Sequence, residues 1–180
     1  MTLTDAQKVT LGNHIRANED PEIVSALANG QITKIRNWYN ATASPDFWVF
    51  YGSVSVDEVR RSLDWDEIED TAKMTAQRWK MFEILFSNHD YNPEEANNRE
   101  ALIRIFPGNA YPEEERMPNC RAAVLVDATR KATEAEKVLS EVATGPGGGN
   151  GSAQAQSAIA VFKGDLSNSD IGDAINATEP

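Results

Sequence analysis

The sequence predicts a mainly α protein: a helical bundle with a short β element and a flexible C-terminal arm carrying one strand and a short helix. Three observations predict it. Apolar residues recur at helical spacing through residues 1–143, punctuated by capping residues and prolines. One run, Phe47-Trp48-Val49-Phe50-Tyr51, breaks that spacing with aromatic and β-branched residues, which suit a pleated, half-buried surface. A glycine-rich stretch, Gly145-Pro146-Gly147-Gly148-Gly149-Asn150-Gly151-Ser152, then separates the helical part from an alternating segment, and its composition is that of a flexible linker. The expected division is a helical domain at 1–143, a linker at 144–157 and a strand–helix arm at 158–180.

The first helix opens at Thr4-Asp5-Ala6-Gln7, with Leu3, Val9, Leu11 and Ile15 as its apolar positions. Gly12 is a weak spot inside it, because glycine is a poor helix former. Asp20 caps the next helix with Pro21 at its first position, and Asn29-Gly30 stops it. A third helix, about 31–40, carries Ile32, Ile35, Trp38 and Tyr39. In the aromatic run that follows, Pro45 biases Ser44 toward extended backbone, and Gly52 ends the run. Ser55 and Glu58 have capping-box spacing for a short helix bearing Val56, Val59 and Leu63. The rings of Trp38, Trp65 and Trp79 are expected to gather around this run. Helices are further expected over 71–87, from Asn92-Pro93-Glu94-Glu95 to Phe106, and over 119–142. Residues 113–116 form a single turn. Ile159, Val161 and Lys163 alternate with Ala160 and Phe162 as in a strand. Ser167 caps a last short helix with Ile171, Ala174 and Ile175.

The formal net charge is −11. That argues against a nucleic-acid grip, which needs Lys and Arg to displace counterions, and against an anionic membrane surface. No apolar run is long enough to span a bilayer, and the N-terminus shows no signal-peptide core. Cys120 is the single cysteine, so neither an internal disulfide nor a cysteine metal cluster is expected. The carboxylates Asp64, Asp66, Glu67, Glu69 and Asp70 crowd around Trp65, but Trp and Ile interrupt them and no central glycine shapes a calcium loop. They read as a solvated acidic face. His14 and His89 are far apart in sequence and read as surface or capping residues. The glycine-rich stretch follows a helix and lacks the Gly-Lys of a phosphate loop. No catalytic residues, cofactor or metal site are therefore expected.

A lone strand cannot satisfy its own backbone groups. The segment 159–164 must pair either with 47–51 or with a strand of a neighbouring molecule. Candidate interface residues follow: Phe47, Trp48, Phe50 and Tyr51 to anchor or receive a strand, and Ile159, Val161 and Phe162 to donate one. Truncation after Thr144 is then expected to leave the helical domain folded and to impair assembly.

Four sets of residues carry a resemblance. They are Ala43-Ser44-Pro45-Asp46-Phe47-Trp48-Val49 with Val54-Ser55-Val56-Asp57-Glu58; Asn92-Pro93-x-x-Ala96-Asn97-x-Arg99 leading to Ile105-Phe106; Arg130-Lys131-Ala132-Thr133-Glu134-Ala135-Glu136-Lys137 with Ala143-Thr144-Gly145; and Phe162-x-Gly164 before a short helix. Over nearly its whole length the chain resembles a widespread group of small virion proteins of tailed bacteriophages, although its linker is longer and richer in glycine than the group's. The resemblance implies a structural component of a phage particle, assembled in the host cytoplasm. The architecture is similar to head–tail connector (adaptor) subunits, which form a homo-oligomeric ring in the neck against portal or tail components. A capsid cement or decoration protein, or another tail-completion protein, is the alternative. Neither sequence-specific nucleic-acid binding nor a membrane is implied.

Overall fold

The computed structural model describes residues 2–141 and 157–177; the linker expected at 144–157 lies outside the described residues except for Ser157. The chain runs α1 (Asp5–Arg16), α2 (Pro21–Ala28), α3 (Ile32–Asn40), β1 (Trp48–Phe50), β2 (Val54–Ser55), α4 (Val56–Ser62) and α5 (Trp65–Glu69). It continues through α6 (Ala76–Leu85), β3 (Asp90–Tyr91), α7 (Ala96–Ile105), a 3-10 turn (Glu113–Glu115) and α8 (Pro118–Ala128). Then come β4 (Thr129–Lys131), α9 (Glu134–Val138), β5 (Ser140–Glu141), β6 (Ile159–Ala160) and α10 (Asn168–Asn176). The fold is mainly α, with strands only as short pairs: β1 with β4, β2 with β3, β5 with β6. Among the described residues no helix is long and apolar enough to cross a membrane.

These elements form two compact units, each gathered from separate stretches of chain. Among the described residues, 2–47, 131–141 and 160–177 make the first, and 48–130 with 157–159 the second. Packing therefore cuts the chain differently from composition, which set the expected boundaries at 143 and 158.

The first unit is capped as its sequence predicts. Thr4 and Gln7 exchange side-chain and backbone hydrogen bonds at the start of α1. Asp20 accepts the Glu22 N–H ahead of Pro21, and Gly30, at φ +66°, turns the chain into α3. Ser167 and Asp170 close a capping box on α10. Leu11, Ile15, Ile35, Tyr39, Phe162, Ile171 and Ala174 share one buried cluster. Gly12 lies where α1 meets α10, and a methyl group there would collide with the Ala174 carbonyl. The glycine that weakens the helix locally is what lets α10 approach it.

The second unit buries Phe50, Val54, Val59, Phe82, Phe86, Tyr91, Ile105, Phe106, Met117 and Val124 together. Its helix boundaries depart from expectation where a side chain finds a different partner. Ser55 makes no side-chain cap bond to α4. The expected helix at 71–87 begins only at Ala76, because Asp70 turns the chain through the Ala72 N–H and Thr75 supplies the cap. Asn92-Pro93-Glu94-Glu95 stays a turn before α7: Asn92 Oδ1 accepts the Glu94 N–H at 2.9 Å. The long helix expected at 119–142 is broken at Thr129. The Thr133–Glu136 capping box restarts it as α9, and in the first unit the Ala132 backbone bonds to 43 and 47 instead.

Trp38 packs in the first unit, Trp79 stacks on Phe82 at 5.5 Å, and Trp65 stands about half exposed.

Candidate functional site

The expected donor strand finds its partners within the chain. Only 159–160 are extended, paired with β5. Ala158 bridges Val49 in parallel, with Phe50 N–H donating to the Ala158 carbonyl and Ala158 N–H to the Trp48 carbonyl, both at 3.0 Å. Of the seven candidate interface side chains, Phe50 and Phe162 are each 1% exposed, inside the cores of their own units. Phe47, Trp48 and Ile159 are half-buried. Tyr51 and Val161 remain exposed.

Tyr51 lies in the second unit beside a groove of about 440 Å³ lined by Val54, Ser55, Glu58, Val126 and Asp127. The Arg130 guanidinium sits 5.9 Å over its ring, within cation–π range. Val126 projects from the last turn of α8 with 62% of its surface exposed. Sequence reasoning missed it: Val124 and Leu125 supply the buried side of that helix, and an exposed valine next to them carries no signal in periodicity.

Two of the resemblance-bearing motifs, about ninety residues apart in sequence, meet in the first unit. Thr42 bridges Thr133. Ala43 N–H donates to the Ala132 carbonyl at 2.9 Å, Ala132 N–H to Phe47 at 2.8 Å, and Glu134 N–H to Ala41 at 3.0 Å. Glu134 accepts the Ser44 N–H at 2.7 Å beside the cis Ser44–Pro45 peptide. Lys131 pairs with Asp46 at 2.7 Å, and Lys137 with Glu134 at 3.3 Å. A third motif is organised by Arg99 in the second unit. Its guanidinium, 1% exposed, donates to the Pro93 and Glu94 carbonyls at 2.9 and 2.6 Å and lies 5.0 Å from the centre of the Phe50 ring.

A cleft of about 350 Å³ lies in the first unit between His14, Asn18, Trp38, Glu134 and Lys137. Desolvation holds the His14 imidazole below its ordinary pKa against the opposing pull of Glu134, and burial pushes the Tyr39 phenol up to about 12. His14 Nδ1 and the Tyr39 hydroxyl share a 2.7 Å hydrogen bond, and the same hydroxyl accepts from Asn18 Nδ2 at 3.3 Å. A phenol shifted this way is a donor, not a nucleophile. Glu134 is committed to Ser44 and Lys137, so the cluster orients hydrogen bonds and holds the 41–47 segment in place. No sequence spacing announces it, because His14 and Tyr39 lie on different helices.

The acidic face at 64–70 also has a structural task. In the second unit, Glu67 accepts the N–H groups of Asn119 and Cys120 at 3.2 and 2.9 Å, capping α8. Asp64 Oδ2 takes the Asn119 side chain at 2.6 Å. Burial pushes the Cys120 thiol up to about 12, away from thiolate chemistry. Among the described residues no group of three or more His, Cys, Asp and Glu could hold a metal ion.

Compared with protein-family models, curated proteins and solved structures, the chain matches none of them.

Proposed function

We propose that the chain is a structural component of a tailed-phage particle, a head–tail connector subunit that works in the neck through subunit–subunit contacts. The observation that carries this reading is where the resemblance-bearing residues fall. Ala43–Phe47 and Lys131–Lys137 zip together in one unit, and Asn92–Arg99 folds around a buried guanidinium in the other. Motifs that hold a body together are what a family defined by shape rather than chemistry would keep in common. The net charge of −11 suits a surface past which DNA slides without sticking. Exposed Tyr51, Val126 and Val161 supply contact residues of the kind an assembly interface buries. The ring's partners are further copies of the chain and portal or tail components.

The test is the protein's copy number in purified particles, by quantitative mass spectrometry. A connector appears in a small fixed number; hundreds of copies would make it a shell decoration protein instead. Its absence from particles would overturn both readings. As a companion test, Val161→Asp should leave circular dichroism and the thermal midpoint unchanged, since the side chain is exposed. If Val161 is a contact residue worth at least about 1.4 kcal/mol, the variant should lower the yield of tailed particles by about tenfold.

A further inference from the structure

The core of the second unit contains a small cavity whose walls include Phe50, Tyr91, Arg121 and Val124, leaving about 10 Å³ for the centre of a water-sized particle. Every lining side chain is buried. Tyr91 and Arg121, on different elements, carry polar atoms with no hydrogen-bond partner among the described residues: Oη of Tyr91 in β3 and Nε of Arg121 in α8. Tyr91 is 3% exposed and Arg121 7%. Arg121 places Nη1 on the Phe106 carbonyl at 2.9 Å. None of the ion pairs formed among the described residues includes it. Its guanidinium packs against Gly108, where a Cβ would come within 3.0 Å of Nε, so the absence of a side chain at 108 gives the arginine its place.

A guanidinium does not shed its proton to escape burial, and a buried donor left unmade is costly. The side chains therefore call for an acceptor. The size of the space restricts it to one heavy atom: about one water-sized sphere is the minimum that an internal water needs, and a carboxylate or phosphate is too large. We propose that this cavity binds a single small hydrogen-bond acceptor, a water oxygen or a halide ion, which receives the Nε–H of Arg121 and the O–H of Tyr91. The bound particle ties β3 to α8 through the core. This inference does not depend on the assembly role.

Crystals of the full chain grown in bromide instead of chloride, with diffraction measured at the bromine absorption edge, test it. The expected result is a density peak within hydrogen-bonding distance of both Arg121 Nε and Tyr91 Oη. An anomalous signal at that peak identifies a halide, and a peak without one identifies water. A cavity with no density between the two atoms overturns the proposal.

Discussion

At the scale of single residues, a close backbone approach outweighs propensity. Judged by α1 alone, Gly12→Ala should stabilise the helix by about 1 kcal/mol. Judged by its neighbour, the new methyl meets the Ala174 carbonyl of α10, which is backbone and cannot rotate away. Overpacking of this kind costs about 1–3 kcal/mol and often more against backbone, so the variant should lower the urea midpoint. A raised midpoint would show that α1 and α10 do not pack this closely. Arg99 makes the complementary case in the second unit. Arg99→Lys keeps the charge and loses the planar guanidinium, whose Nη1 reaches two carbonyls and which lies on Phe50. With hydrogen bonds to charged groups worth about 1.5–3 kcal/mol each, a loss of roughly 2–3 kcal/mol is expected from denaturant unfolding. A change within error would mean that the ammonium replaces the guanidinium.

At the scale of elements, what was legible in the sequence was local. The caps Thr4, Asp20 and Ser167 announce their helices because the cap and its partner lie within three residues. What failed to read was every element whose end is set from a distance. Glu67 caps α8 across about fifty residues, and the first unit's pairing of 41–47 with 132–134 breaks what periodicity alone draws as one long helix. Of the candidate contact set, exposure keeps Tyr51 and Val161 and burial removes Phe50 and Phe162, a distinction hydrophobicity cannot make. The α10 cap also predicts a pH dependence. Burial raises the Asp170 pKa, but hydrogen bonds led by the Ser167 hydroxyl outweigh it and hold the carboxyl below its ordinary value. Ser167 Oγ and N lie 2.6 and 2.8 Å from Asp170 Oδ2. A depressed folded-state pKa means that the unfolded chain takes up the proton first as pH falls. This part of the stability is therefore complete above the unfolded carboxylate pKa and is lost as pH drops through the lower, folded value. Asp170→Asn should flatten the acid limb of a thermal-midpoint profile below about pH 4; an acid limb as steep as in the parent chain would show that Asp170 does not contribute to it.

At the scale of the whole chain, the order of segments decides what a truncation does. A chain ended after Thr144 keeps residues 1–143, the span that composition presents as a complete helical domain. The first unit, however, draws Phe162, Leu166, Ile171 and Ala174 from beyond that point, each no more than 2% exposed and packed with Leu11, Ile15, Ile35 and Tyr39. Removing them exposes one whole side of α1, and burying a large apolar side chain is worth about 1.5–3 kcal/mol. The combined loss is comparable to the roughly 5–15 kcal/mol that holds an ordinary domain folded. The second unit keeps its entire buried cluster, Phe50 to Ala128, and among its described residues loses 157–159, with the Ala158 bridge to β1. Hydrogen exchange on the truncated chain should therefore show protection lost in α1, α3 and α9 and retained in α6, α7 and α8. Protection kept in α1 would mean that the N-terminal helices form a core without α10, and the particle defect of such a truncation could then be assigned to a missing contact. Protection lost throughout would mean that the second unit cannot fold without the first. On the packing seen here, a failure of the truncated chain to assemble reports unfolding of the first unit, and only substitutions at exposed positions such as Val161 isolate the contact itself.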